Sequence, residues 1–160
     1  MTMPPPPGPD FSQVPPPPGQ APFASTEHGS YTFGEAISTT FKKYADFKGR
    51  ARRSEYWFFW LFTLLVTFPP QMVVNYSIFT IDTGNGMPAA TYPLALGFLS
   101  IVGLGLFIPS LAVAVRRLHD TGTSGAYLFF GLIPLVGTIL ILIKLASDGT
   151  NGPNAYGARD

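Results

Sequence analysis

The residues with the types and spacing for chemistry lie in two polar motifs. His119 and Asp120 stand side by side in RRLHDTGTSG (Arg116–Gly125), and Glu55 lies within GRARRSEYW (Gly49–Trp57). A histidine titrates near neutrality, so beside a carboxylate it can relay protons. With arginines holding a phosphate, the same pair can act as acid and base on a lipid headgroup. The competing reading is structural. On a helix continuing past Val115, Arg116 is three residues from His119 and four from Asp120, close enough to share a face. Asp120 then sits at a helix C-terminus, where the dipole disfavours an anion. It needs a cation, and Arg50, Arg52 and Arg53 are available from the other motif. Glu55 suits the start of its own helix and can meet Arg116, Arg117 or His119. These residue types predict an ion network joining the two motifs.

Other chemistries find no support. The chain has no cysteine and two histidines, and His28 lies in a proline-rich head, so no metal site is expected. Phosphate loops, GxSxG elbows and dinucleotide fingerprints are missing, so no cofactor and no catalytic residue is assigned. GTSG (Gly122–Gly125) holds a serine without elbow spacing.

The surrounding elements are oily. Of the 160 residues 46% are hydrophobic and only 12% charged, against about 25% charged in soluble domains. Six of the ten lysines and arginines crowd one collar: Lys42, Lys43, Lys48, Arg50, Arg52 and Arg53. The collar stops where an apolar run starts, which argues for lipid and against nucleic acid. Tyr56, Trp57 and Trp60 follow, as an aromatic belt would.

Three apolar segments are long enough for a bilayer that needs about 20 residues each. They span about 56–79, 93–115 and 126–146, giving an all-α membrane protein with about three transmembrane helices in a domain of residues 31–157. Before them, Phe33, Ile37, Phe41, Tyr44 and Phe47 share one helical face over 33–48. Thr32 and Glu35 have capping-box spacing. This pattern predicts an amphipathic helix lying in the headgroup region, closed by Gly49; packing against protein is the competing use of that face. Pro69 and Pro70 predict a kink or unwound turn, with Gln71 and Asn75 able to cover freed carbonyls.

Residues 1–30 form a low-complexity head. Ten of its first 22 residues are proline, with PPPPG at Pro4–Gly8 and again at Pro15–Gly19. Composition predicts a disordered, extended cytoplasmic spacer, with recognition by a proline-binding partner as the alternative. The start has neither a charged n-region nor an apolar h-region, so no cleavable signal peptide is expected. Basic residues in short loops set orientation. Six precede the first span, none lies in residues 80–92, and Arg116 and Arg117 follow the second span. The N-terminus is therefore expected in the cytoplasm and, with three crossings, the C-terminus outside.

GRARRSEYW, RRLHDTGTSG, LIPLVG (Leu132–Gly137) and GTNGPNAYG (Gly149–Gly157) together resemble the YhaH-type bacterial inner-membrane proteins, the domain-of-unknown-function family 805. The resemblance covers about Phe33 to Gly157. Departures are small: Thr123 stands where a basic residue is common, and Ala126-Tyr127 where a tryptophan pair often sits. The resemblance implies a small multi-pass protein of the bacterial plasma membrane and carries no activity.

Function classes are then weighed by what each requires. A non-enzymatic scaffold, assembly factor or regulator needs only features present: anionic lipid at the collar, and other membrane proteins or further copies as partners. A transporter or channel subunit requires oligomers, and no apolar segment has an acid or base near its middle. A headgroup enzyme rests on His119 and Asp120 as acid and base, with the arginines holding phosphate.

Overall fold

A computed structural model describes residues 30–81 and 91–158, and the proline-rich head, His28 and Asp82 lie outside the described residues. Every named element is helical: α1 (Phe33–Lys42), α2 (Arg53–Ile81), α3 (Thr91–Asp120), a 3-10 helix (Gly125–Leu132) and α4 (Val136–Ala146).

Two of these are long and apolar enough to cross a membrane, Arg53–Thr80 with mean hydropathy 1.5 and Thr91–Asp120 with 2.3. At 1.5 Å per residue each exceeds the roughly 30 Å hydrocarbon layer. Their large apolar side chains face outwards, Ile101 being 76% exposed and Leu104 77%. Lipid is the solvent that such surfaces fit. The polar residues hide their donors within the helix. Thr63 donates to the Phe59 carbonyl at 3.0 Å, Thr67 to Thr63 at 2.8 Å and Ser100 to Leu96 at 2.8 Å.

α2 and α3 pack along a small core of Ala51, Phe59, Leu106 and Val113, flanked by Tyr56, Phe62 and Val102. The Ala51 amide donates to the Arg116 carbonyl at 3.0 Å, which brings the start of α2 to the end of α3. α2 continues as one helix through Pro69 and Pro70, so of the kink or unwound turn that the sequence suggested the unwound turn does not form. Gln71 donates to Asn75 Oδ1 at 3.1 Å on an exposed face rather than covering carbonyls.

α1 begins with both halves of its capping box. The Thr32 amide donates to Glu35 Oε2 at 2.9 Å, and the Glu35 amide to Thr32 Oγ1 at 3.4 Å. These Thr32 bonds hold the Glu35 pKa below its ordinary value. The helix ends at Lys42, short of the 48 suggested by periodicity. Its aromatic face meets protein: Phe33 stands edge-on to Phe58, and Phe41 to Phe59 and Phe62. Beyond α1, the Tyr44 hydroxyl donates to the Gly105 carbonyl at 2.7 Å. That carbonyl lies four residues before Pro109, inside α3. Proline has no amide to bond it, so Tyr44 supplies the donor that the ring removes.

The apolar stretch 126–146 is not one helix. The eight-residue 3-10 helix ends at Leu132, the chain reverses through Ile133–Leu135, and α4 runs for 11 residues. Leu135 has φ +62° and ψ −65°, a γ-turn conformation rare for a residue with a side chain, closed by the Val136 amide donating to the Pro134 carbonyl at 2.7 Å. The two arms touch so closely that a Cβ at Gly137 would fall 1.7 Å from the Phe130 carbonyl oxygen. Gly137→Ala is therefore expected to lower stability by about 3 kcal/mol, because backbone must move to admit the methyl. Thermal denaturation in detergent measures it, and an unchanged midpoint would count against this contact.

Candidate functional site

The two polar motifs come together where α2 starts and α3 ends. Arg50, Arg116, Arg117, Asp120 and Glu55 are all buried there. Asp120 takes the central position. Arg50 Nε donates to its Oδ1 at 2.9 Å, and Arg117 Nη1 bonds its Oδ2. Two guanidinium groups thus offset an anion that the helix dipole disfavours at the last residue of α3. Arg116 Nη1 donates to Glu55 Oε1 at 2.7 Å in a second buried pair. Arg116 Nε and Nη2 are buried with no hydrogen-bond partner among the described residues.

A third stretch joins them. Arg50 Nη1 donates to the Gly152 carbonyl at 2.6 Å, and Nη2 to the Thr150 carbonyl at 2.6 Å. Arg117 Nε donates to the Leu145 carbonyl at 3.0 Å, and its Nη2 bonds the Ser147 carbonyl. The Thr150 amide donates to the Asp120 carbonyl at 2.8 Å. Asn154 Nδ2 donates to the His119 carbonyl at 2.9 Å and to Thr150 Oγ1 at 2.9 Å. Positive φ at Gly152 (73°) and Gly157 (104°) lets this segment curl round the guanidinium of Arg50.

His119 and Asp120 are adjacent in sequence but bond different groups. The His119 ring lies flat on Tyr156, centroids 3.8 Å apart and planes within 3°. Its Nδ1 is 3.2 Å from the Gly49 carbonyl, which assigns the proton to Nδ1. Both side chains hold the three motifs together. Among the described residues, no three of His, Asp and Glu cluster as metal ligands.

The remaining sites lie outside this node. Lys42 and Lys48 are exposed, and Lys43 is half-buried. Arg53 pairs with Asp148 at 2.5 Å, with side chains 50% and 88% exposed, and Arg52 sits over the Tyr31 ring at 5.7 Å. Around them opens a cleft of about 450 Å³, lined by Arg52, Arg53, Ser54, Asp148 and Asn151 among others. Tyr56, Trp57 and Trp60 form an edge-on series with centroids 5.2 and 5.8 Å apart, and Trp60 faces outwards.

Sequence reasoning gave Thr150, Asn154 and Tyr156 no role of their own beyond their place in the GTNGPNAYG motif. Arg50 is recognised here through main-chain carbonyls, which every residue carries. Tyr44 was missed as a donor to α3, although Pro109 advertised a carbonyl in need of one.

Two long apolar helices locked at one end by buried ion pairs define a helical integral membrane protein. Comparison places it more closely. The chain belongs to the family described as Protein of unknown function (DUF805), whose model matches residues 44–158. It is 37% identical over 117 residues to Inner membrane protein YhaI of Escherichia coli (strain K12), covering 72% of this chain and 86% of that one. It is 34% identical over 116 residues to Inner membrane protein YhaH of the same strain, covering 72% and 88%. No solved structure matches it.

Proposed function

We propose that the chain is a non-enzymatic scaffold, assembly or regulatory component of the bacterial plasma membrane. α2 and α3 cross the bilayer with the collar in the cytoplasm, and the collar holds anionic headgroups while the outward faces receive membrane partners. The observation that carries this reading is a division of labour among the basic residues. Arg50, Arg116 and Arg117 are buried and committed to Asp120 and Glu55. Lys42, Lys48 and Arg53 are exposed, and Arg52 borders the open cleft beside Arg53. The first set builds a platform; in the second, Lys42 and Lys48 are exposed, while Arg53, paired with Asp148, and Arg52, over the Tyr31 ring, line the open cleft where a phosphate can approach. A headgroup enzyme would need His119 and Asp120 free for proton transfer, and both are engaged in tertiary contacts.

Each base near an anionic leaflet contributes about 1 kcal/mol. Replacing Lys42, Lys48, Arg52 and Arg53 together by glutamine is therefore expected to weaken retention of phosphatidylglycerol at least tenfold, since about 1.4 kcal/mol is a factor of ten. Native mass spectrometry of protein released from mixed phosphatidylglycerol–phosphatidylcholine nanodiscs reads the effect. Equal retention by both proteins would overturn the headgroup role.

A further inference from the structure

We infer that residues 125–146 form a re-entrant hairpin embedded in the collar-side leaflet, so that the chain crosses the membrane an even number of times. Its partner surface is the acyl layer of that leaflet, and residues 147–158 lie on the same side as Arg50. The inference rests on the reading that α2 and α3 each cross the bilayer.

Four observations carry it. Both ends of the segment return to one place. The Thr123 amide donates to the Leu118 carbonyl at 2.9 Å at the entry, and Arg117 Nε donates to the Leu145 carbonyl at 3.0 Å at the exit. Gly149 to Gly157 then folds over Arg50 and His119, as the bonds to Thr150, Gly152 and Asn154 require. A segment that crossed would leave its exit some 30 Å from its entry.

Length gives the same answer. Eight residues of 3-10 helix rise about 16 Å, and 11 residues of α4 about the same. Each arm thus reaches about half the hydrocarbon thickness. The tip is oily and unpacked, with Leu132 80% and Leu135 79% exposed. Lys144 is the segment's one charge, and it lies at the base beside Leu145. Water is a poor neighbour for such a tip; acyl chains are a good one.

The reversal also bonds much of its own backbone. Ile133 donates to Phe130 at 2.9 Å, Val136 to Pro134 at 2.7 Å, Gly137 to Ile133 at 3.1 Å and Ile139 to Leu135 at 3.0 Å. Pro134 has no amide to satisfy. Internal pairing of this kind is what a turn needs at membrane depth.

The absence of cysteine makes the test direct. Single variants Ala45→Cys, Thr91→Cys, Ala155→Cys and Leu135→Cys are treated in spheroplasts with a membrane-impermeant maleimide, before and after lysis. Ala45 and Ala155 are expected to react from one side and Thr91 from the other. Leu135 is expected to react at least tenfold more slowly than Ala155 from either side. If Ala155 and Thr91 share a side opposite Ala45, the hairpin is overturned and the orientation stands. If Ala45 and Ala155 both face outwards, the proposed orientation fails and the hairpin stands. If Ala45 and Thr91 share a side, the two-crossing premise fails and the hairpin with it. Rapid labelling of Leu135 from the Thr91 side also overturns it. Alkaline phosphatase and fluorescent-protein fusions after residue 160 give an independent readout: phosphatase activity with an inward Ala45 sinks the hairpin.

Discussion

Replacing Asp120 by alanine is expected to lower stability by about 3–5 kcal/mol, a large part of what a small protein has. Asp120 is fully buried and serves Arg50 through one oxygen and Arg117 through the other. Its removal takes the shared carboxylate from two guanidinium groups held out of water, which then lean on main-chain carbonyls and, for Arg50, on the Thr150 hydroxyl. Those carbonyls belong to Leu145, Ser147, Thr150 and Gly152, so the damage should spread to the C-terminal segment. Asp120→Asn keeps the shape and one acceptor but removes the charge, and should fall between alanine and wild type. Thermal unfolding in detergent gives the loss, and trypsin sensitivity near Arg117 and Lys144 locates it. Arg53→Ala is the control, because the exposed Arg53–Asp148 pair should contribute only about 0–1 kcal/mol. Similar losses for Asp120→Ala and Arg53→Ala would refute the central role given to the buried carboxylate.

The Glu55–Arg116 pair should show the other property of buried charges, a coupling visible only in a double-mutant cycle. Glu55→Leu alone leaves the Arg116 guanidinium without its carboxylate, at an expected cost of about 3–5 kcal/mol. Arg116→Met alone takes the Nη1 donor and its charge from buried Glu55, also at a cost. The double variant Glu55→Leu/Arg116→Met should recover most of the loss or exceed wild type. Arg116 favours that result, since two of its buried nitrogens have no partner among the described residues. The charge swap Glu55→Arg/Arg116→Glu should also rescue abundance lost in the single variants, but incompletely. Glu55 lies in the first turn of α2 and Arg116 near the end of α3, so the native arrangement agrees with both helix dipoles. Reversal opposes both, for about 0.3–1 kcal/mol at each end. Additive single-variant losses in the double variant would rule out the pairing as an energetic unit.

The sequence carried this network further than it carried the topology. Asp120 at a helix C-terminus demanded a cation, and Glu55 at a helix start had a basic motif to meet. Those demands follow from charge and helix polarity, which are local properties. Neither chose among three possible cations, because that depends on how the loop before α2 turns onto α3. Arg50 reaches Asp120, whereas half-buried Arg52 lies over the Tyr31 ring and exposed Arg53 pairs with Asp148. The aromatic stripe of α1 shows a similar gap. Periodicity identified the face, but lipid and protein are both apolar partners, and only packing brings Phe33 and Phe41 against Phe58, Phe59 and Phe62.

Hydropathy is least informative over residues 126–146, which fold as two short helices rather than one. It counts oily residues and is blind to direction, so an apolar stretch that turns back at Leu135 reads the same as one that runs straight. Pro134 hinted at interruption, but the positive-φ residue beside it is a leucine rather than a glycine. At Pro69-Pro70 two missing amides suggested a kink or an unwound turn, and α2 continues there without unwinding.

By itself, the sequence determined the solvent: an oily chain with a basic collar and long apolar stretches belongs in a membrane. It also determined that buried acids at the helix ends must find cations. Tertiary structure alone decided which arginine meets which acid, that the C-terminal carbonyls close over Arg50, and where the last apolar stretch turns. Transfer free energy depends on composition and accumulates along the chain, so it is legible in order of residues. Pairing depends on distances between residues as far apart as Arg50 and Asp120, and those exist only once α2 and α3 have packed.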